Sequence, residues 1–305
     1  MRWRGNRKSS NVEDRRNMNV SSLGNVGRGG GLLRLLPMVY KILGIKGTVI
    51  LVVCAGAYGL FTGNLSTMLS GSQQNSTETV SSKPLQESAK ERELVEFVSV
   101  ILADTEDTWD TLFKEKGKTY QKPSLVLFRN TVKSACGTAQ SAMGPFYCPG
   151  DQQVYIDLAF FEQLKNRFNA PGDFAQAYVI AHEVGHHIQT LLGISRKVHS
   201  ARSNLSKVEG NKLSVLQELQ ADCLAGVWAN HANRTRQLLE VGDVEEGLTA
   251  ASAIGDDTLQ KQSQGHVSPD SFTHGSAAQR VKWFKVGLTN GDMDSCNTFK
   301  TTNKL

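Results

Sequence analysis

Residues 173–193 read DFAQAYVIAHEVGHHIQTLLG, and this stretch carries the clearest helical pattern in the chain. Asp173 stands three residues before Gln176, which is the spacing of a helix N-cap motif. Gly193 follows the last apolar residues, where a glycine commonly ends a helix. Apolar residues fill most positions in between, so the pattern predicts a largely buried helix with polar groups in its interior.

Three of those polar groups are His182, Glu183 and His186. Histidines four residues apart share one helix face, and this spacing suits two ligands of a tetrahedral zinc ion. Glu183 is then placed to act as a general base on a zinc-activated water. Burying these groups without partners would cost roughly 1–3 kcal/mol for each unsatisfied group. The motif therefore predicts a zinc site with His182 and His186 as metal ligands and Glu183 as a catalytic residue.

A second predicted helix, over residues 213–232, contains Glu218 and Asp222 in the segment ELQAD. The two carboxylates are four residues apart and share a face. Glu218 can complete a set of two histidines and one glutamate, which leaves the fourth zinc position open for water. Asp222 can accept a hydrogen bond from a ligand histidine and fix its tautomer. The alternative is a solvated helix face, which the apolar neighbours of both residues argue against.

His274 lies in SFTHGSAAQR, residues 271–280, and is the second candidate catalytic residue. Zinc hydrolases of this kind often place a donor beside the oxyanion that forms on the substrate carbonyl. Arg280 is expected to orient the His274 loop through a carboxylate. The alternative is a capping loop with an incidental histidine. Asp256 and Asp257 are expected to cap a helix.

The remaining histidines are not assigned to the site. His187 is expected to be peripheral, because it points about 100° away from His186 on the helix. Polar surroundings predict surface positions for three others, His199, His231 and His266.

Composition and charge exclude several protein classes. The chain has 305 residues, of which 39% are hydrophobic and 21% charged, and it has no heptad or Gly-x-y period. Wholly disordered, collagenous and coiled-coil chains are therefore excluded. Residues 1–46 hold ten basic and two acidic residues, a net charge of +8. The net charge of the whole chain is only +5. Because this excess lies in a Gly- and Arg-rich stretch, nucleic-acid binding is not expected.

The stretch of residues 47–63, GTVILVVCAGAYGLFTG, carries no charge. With its apolar flanks it predicts one transmembrane helix over residues 42–65, and a buried core helix or a cleaved signal peptide is the alternative. Residues 1–41 are then expected to form a disordered basic tail in the cytoplasm. Residues 66–90 are expected to be a flexible tether, and residues 91–305 a folded periplasmic domain anchored to the inner membrane.

Four cysteines, Cys136, Cys148, Cys223 and Cys296, lie on the proposed outer side. An even number there suits two disulfides. Cys136 and Cys148 bracket a turn-rich segment and are expected to pair, which leaves Cys223 with Cys296. One alternative is a metal site, which the absence of a CxxC pair disfavours. The other is four free thiols, if the topology is inverted.

Periodicity predicts an α+β fold, a mostly helical domain with a small sheet. Besides the two helices above, it predicts helices at about residues 90–116, 244–254 and 276–287. Strands are predicted at residues 125–128 and 154–160. The second strand is a candidate edge on which an extended peptide could lie.

At HEVGHH, ELQADCLAGVW and SFTHG the chain resembles the bacterial neutral zinc metallopeptidase family. MRWRGNRKSSNVEDRRN, MGPFYCPGD, VYIDL and AIGDDTLQKQSQG resemble that family as well, so the likeness covers nearly the whole chain. It implies a zincin-like domain with a gluzincin-type site, in which His182, His186 and Glu218 hold zinc and Glu183 is the acid/base. Gluzincin membrane proteases with a similar ELQAD segment carry the sequence THP. This chain has THG instead, with Gly275 in place of the proline.

The sequence therefore predicts a membrane-anchored zinc metallopeptidase that hydrolyses peptide bonds of a protein or peptide substrate. Two alternatives remain open. One is a non-catalytic zinc-containing module that tethers a partner, and the other is a zinc hydrolase of a non-peptide amide. The sequence does not indicate which oligomeric state the protein adopts.

Overall fold

The computed structural model describes residues 1–18 and 86–301. The strands in these residues are short: Val12–Asp14 (β1), Ser124–Phe128 (β2), Thr131–Ser134 (β3), Gly137–Gln140 (β4), Phe146–Cys148 (β5) and Gln153–Asp157 (β6). Four of them form a sheet in the order β1-β2-β6-β5, in which only β5 runs antiparallel to its neighbour. The other two strands, β3 and β4, form a separate hairpin.

Helices make up most of the described residues, which confirms the mostly helical α+β class. The α-helices are Ala89–Glu115 (α1), Ala159–Asn166 (α2), Asp173–Leu191 (α3), Ile194–Arg202 (α4), Lys207–Arg236 (α5), Asp243–Ala253 (α6), Asp256–Gln264 (α7) and Ala277–Asn290 (α8). The main core lies where α3 packs against α1, α5 and α6, beside the sheet.

Glycine lets the two helices that carry the metal-ligand candidates approach closely. A Cβ atom on Gly185 of α3 would lie 3.0 Å from the carbonyl oxygen of Ala221 on α5. A Cβ atom on Gly287 of α8 would lie 1.9 Å from the carbonyl oxygen of Cys223, also on α5. The backbones therefore meet with no side chain between them, and this contact brings ELQAD against HEVGH.

The predicted elements at residues 90–116, 125–128, 244–254 and 276–287 are confirmed within a few residues. The predicted cap at Asp173 is wrong by one position, because Gly172 occupies the N-cap and Asp173 lies in the first turn. The helix predicted over residues 213–232 begins earlier, at Lys207 (α5), and the short helix α4 precedes it. Helices α2 and α7 were not predicted, because both are short and polar residues interrupt their apolar pattern.

The proposed peptide-binding edge is also corrected. The strand predicted at residues 154–160 ends at Asp157, and Phe160 belongs to α2. This strand, β6, lies between β2 and β5, so its backbone groups are already paired. The free edge beside α3 is β5.

Both predicted disulfides are present. Cys136 pairs with Cys148, which ties the β3–β4 hairpin to β5. Cys223 pairs with Cys296, which ties the C-terminal residues to α5. The second bond closes a loop of 73 residues next to the ELQAD segment. A cross-link over so long a loop stabilises the fold mainly by restricting the unfolded chain.

Residues 1–18 do not form the predicted disordered tail. Strand β1 pairs in parallel with β2, with Val12 opposite Leu125. Arg7 and Ser9 both donate to the carboxylate of Glu106 on α1, which is only 1% exposed. Trp3 is buried against Phe97 of the same helix. The basic residues of this segment thus find carboxylates on the folded domain, which their charge alone did not reveal.

This pairing also corrects the predicted topology. Adjacent strands of one sheet must lie on the same side of any membrane, because each supplies the other's backbone hydrogen bonds. Arg16 also pairs with Glu87, at 2.8 Å, across the two described parts of the chain. A cytoplasmic N-terminus and a periplasmic catalytic domain would separate these partners, so that division of the chain does not fit the sheet.

The predicted transmembrane helix over residues 42–65 lies outside the described residues, as does most of the predicted tether. Within residues 1–18 and 86–301, every helix is too short or too polar to cross a bilayer.

We expect residues 18 and 203 to lie in the same compartment. Met18→Cys and Ser203→Cys, each made with Cys54→Ser, place single reactive thiols at two exposed positions. In intact cells both should react equally with a membrane-impermeant maleimide, or both only after permeabilisation. Labelling of one position before permeabilisation and of the other only afterwards would contradict the sheet pairing.

Candidate active site

His182, His186 and Glu218 converge where α3 meets α5. Glu218 Oε2 lies 3.2 Å from His182 Nε2 and 3.4 Å from His186 Nε2. One ligand atom from each residue lies within 4.8 Å of the other two. The structure thus brings together the three residues that the sequence predicts as metal ligands, and in each histidine Nε2 is the atom that faces the shared centre.

The other nitrogen of His182 is held by Asp222. His182 Nδ1 lies 2.8 Å from Asp222 Oδ1, and the Asp222 side chain is completely buried. Arg280 of α8 donates two hydrogen bonds of 2.9 Å to the Asp222 carboxylate, and the Tyr178 hydroxyl donates a third. Asp222 therefore fixes the His182 ring with Nε2 directed to the centre, as expected for a residue behind a metal ligand.

His186 is held by an amide instead of a carboxylate. Its Nδ1 lies 2.9 Å from Gln189 Oε1, so it donates there and leaves Nε2 free as a ligand. Gln189 in turn donates to the carbonyl oxygen of Gln217 at 2.7 Å and to Gln220 Oε1 at 3.1 Å. Gln220 donates to the carbonyl oxygen of Cys296 at 3.0 Å. This amide chain was not predicted, although the three-residue spacing of His186 and Gln189 within one helix could have indicated it.

The electrostatics of the three residues suit a cation. Burial alone would lower the pKa of His182, but Asp222 and Glu218 raise it to about 10. Burial alone would raise the pKa of Asp222, but Arg280 and His182 lower it to about 2. The pKa of Glu218 is likewise held well below its usual value by the two histidines, against burial. The site thus stabilises positive charge between ionised carboxylates, and two imidazoles with one carboxylate are a donor set that zinc prefers.

Glu183 lies beside this centre in a cleft of about 710 Å³ that opens to solvent. The metal-ligand candidates line the cleft together with Glu183, His274 and Tyr147 of β5. Because Glu183 is on α3 but is not part of the three-ligand cluster, it can reach a substrate or water without replacing a ligand. The predicted site residues therefore all border one cleft, except Asp222, which is buried behind it.

His274 is held over the cleft by Asp256, the first residue of α7. Asp256 Oδ2 accepts the backbone N–H groups of Thr273, His274 and Gly275, and its Oδ1 lies 3.3 Å from His274 Nδ1. A hydrogen bond to Asp256 raises the pKa of His274, against the effect of burial. Gly275 has a φ of 97°, which proline cannot adopt, so the THP of the gluzincin proteases does not fit this loop.

Arg280 has a different role from the one predicted. Its guanidinium bonds to Asp222 instead of a carboxylate of the His274 loop, and that loop is oriented by Asp256. The expected helix cap at Asp256 and Asp257 is wrong, because Gly255 occupies the N-cap of α7 and no side chain caps it. The Asp256 carboxylate instead joins the start of α7 to the His274 loop.

Two histidines assigned to the periphery are buried. His187 is 0% exposed and lies between the rings of Tyr120 and Tyr147. His231 bonds to the carbonyl oxygen of Gly291 at 2.8 Å. His186 is partly exposed and lines the cleft, whereas the face of α3 that carries His187 is buried. His199 and His266 are exposed, as predicted.

Comparison with known proteins connects this geometry to a family. Residues 1–299 match the family described as "Putative neutral zinc metallopeptidase". The chain is 52% identical over 301 residues to the uncharacterized protein YpfJ of Escherichia coli strain K12, covering 98% of this chain and 99% of that protein. It is 42% identical over 213 residues to the uncharacterized protein Rv2575 of Mycobacterium tuberculosis H37Rv, covering 67% of this chain and 71% of that protein. No solved structure matches the chain.

We expect Asp222→Asn to weaken zinc binding by roughly 10–100-fold, because the residue behind a ligand histidine sets its orientation and basicity. The measurement is competition with a chromophoric chelator, on protein shown to be folded by circular dichroism. Asp104→Asn is the matched control, since Asp104 is also buried and bonded to an arginine, Arg236, but lies away from the cleft. Equal zinc affinity in the two variants would contradict the role of Asp222.

Proposed function

The chain belongs to the neutral zinc metallopeptidase family, and on this premise we propose that it is a zinc-dependent hydrolase of peptide bonds. The observation that carries the proposal is the convergence of His182 Nε2, His186 Nε2 and a Glu218 oxygen within 4.8 Å of one another. Each histidine has its other nitrogen occupied, so both ligand atoms are oriented in advance.

His182, His186 and Glu218 would hold zinc, which would supply Lewis-acid chemistry to the substrate carbonyl and to a water molecule. Glu183 takes the proton of the attacking water on its carboxylate and passes it to the nitrogen of the leaving amine. His274 donates a hydrogen bond to the carbonyl oxygen as negative charge develops there. Asp256 raises the pKa of His274, which favours the protonated form that this role requires.

The free edge of β5 is the natural place for an extended peptide. An added strand would use the backbone groups that β5 directs away from β6, and Phe146 and Tyr147 of this strand both border the cleft. The substrate class we propose is therefore a segment of protein or peptide in an extended conformation. An open cleft with a general base beside the ligands favours this enzyme over a tethering module, whose zinc would need neither.

The two disulfides indicate an oxidising compartment, so we place the folded domain in the periplasm. Because β1 and β2 share a sheet, residues 1–18 belong in the same compartment. Attachment to the inner membrane stays a prediction from the sequence, and a single crossing by residues 42–65 does not fit residues 1–18 in the same compartment as β2.

We expect Glu183→Gln to lower kcat for peptide cleavage by roughly 10²–10⁴-fold with unchanged zinc content, because it removes the general base and no ligand. The measurement is cleavage of a peptide library by the full chain, with and without a chelator, alongside zinc analysis. Glu245→Gln, at an exposed position of α6, is the control and should cleave like the parent. If Glu183→Gln also cleaves like the parent, the assigned base is wrong. If the zinc-loaded parent cleaves nothing, the tethering module is favoured.

We expect Asp256→Asn to move the alkaline limit of activity to lower pH. The protonated His274 is the proposed donor, so activity falls as pH rises through its pKa. Asp256 raises that pKa, and its removal lowers it. The measurement is the pH profile of kcat. Asp257→Asn is the control, because Asp257 bonds to Ala277 at the same end of α7 without contacting His274. An identical alkaline limit in both variants would rule out His274 as the titrating donor.

A further inference from the structure

His187 follows the ligand candidate His186 but points to a different neighbour. Its Nε2 lies 2.6 Å from the carbonyl oxygen of Gln121, and its Nδ1 lies 3.1 Å from the Tyr147 hydroxyl. The ring is completely buried, and the rings of Tyr120 and Tyr147 meet it edge-on at centroid distances of 5.8 and 5.5 Å. His187 therefore joins α3 to the segment before β2 and to β5 at once.

The partners determine where the protons lie. A carbonyl oxygen only accepts, so the proton of the neutral His187 ring is on Nε2 and is donated to Gln121. Nδ1 then carries a lone pair and accepts the proton of the Tyr147 hydroxyl. Tyr147 therefore donates to His187, and His187 donates to the backbone carbonyl of Gln121. Each donor in this chain has an acceptor.

Strand β5 has few other attachments. It is three residues long and pairs with β6, and among residues 1–18 and 86–301 no strand pairs with its other edge. The Cys136–Cys148 disulfide holds its last residue to the hairpin, away from the metal-ligand candidates. Tyr147, in the middle of β5, makes the hydrogen bond that connects this strand to the helix that carries His182 and His186.

We propose that His187 is a positioning residue. Through its hydrogen bond to Tyr147 it fixes the position of β5 relative to α3, so that a peptide paired with β5 is aligned with the zinc site. The relevance to substrate rests on the proposed function, whereas the attachment of β5 to α3 does not. The role is distinct from metal binding, because His187 faces Gln121 and Tyr147 instead of the shared centre.

The test uses Tyr147→Phe, which removes only the hydroxyl, and His187→Gln, whose amide can still donate to Gln121 but offers no acceptor at the Nδ1 position. Each variant, and the double variant, should speed amide hydrogen exchange in a fragment covering residues 144–150 by roughly fivefold, the effect of one lost hydrogen bond. Exchange in residues 173–191 and zinc content should not change. KM for a cleaved peptide should rise by the same factor at constant kcat.

Both single changes break the bond between His187 and Tyr147, and Tyr147→Phe also removes the hydrogen bond between its hydroxyl and Thr190 of α3. The double variant should therefore add nothing to the effect of Tyr147→Phe. Tyr155→Phe is the matched control: it deletes a hydroxyl from the adjacent strand β6, where the hydroxyl bonds to Asp151 and Gln153. It should leave exchange over residues 144–150 and KM unchanged.

Three results would overturn the proposal. A rise in KM for Tyr147→Phe without one for His187→Gln would mean that Tyr147 contacts substrate directly. Faster exchange in residues 173–191 or loss of zinc in His187→Gln would mean that His187 supports the ligand helix itself. Unchanged exchange over residues 144–150 in both variants would mean that β5 does not depend on this bond. If the parent cleaves no peptide, the proposed function fails, while the exchange measurement still decides the attachment of β5.

Discussion

The buried carboxylate of Asp222 is the group on which the rest of the domain depends. An ion removed from water costs several kcal/mol unless partners compensate it. Arg280, Tyr178 and His182 supply that compensation from α8 and α3, so three helices must meet around one side chain on α5. Removing one partner of such a buried pair costs about 3–5 kcal/mol. The same carboxylate that the helices pack around therefore also turns His182 Nε2 toward His186 and Glu218.

The helices packed around Asp222 position the residues of the candidate site, so a small sheet is sufficient to complete the cleft. Gly185 and Gly287 let the helices touch through their backbones, which sets the spacing between Glu218 and the two histidines. The sheet then adds one wall of the cleft, through β5. Residues 1–18 complete the opposite edge of that sheet through β1, and their arginines neutralise carboxylates of α1 such as Glu106. The N-terminal residues thus belong to the folded domain.

Much of the candidate site could be predicted, because the spacing within one helix is a local property. His182 and His186 had to share a face of α3, and Glu218 and Asp222 a face of α5, whatever the fold. Long-range partners could not be predicted in this way. The basic residues near the N-terminus suggested a free tail, since charge in a sequence does not show which carboxylate it will meet. His187 suggested a peripheral residue, since helical angle does not show which faces are covered.

The sequence by itself indicated the three candidate metal ligands, the pairing of four cysteines and the mostly helical class, because each follows from local spacing, residue chemistry or an even count. Only the tertiary structure decided which strand is the free edge, which nitrogen of each histidine faces the centre, and that residues 1–18 pair with β2. These features depend on contacts between residues far apart in the chain. Backbone hydrogen bonds and buried charges select such contacts only when the whole core assembles.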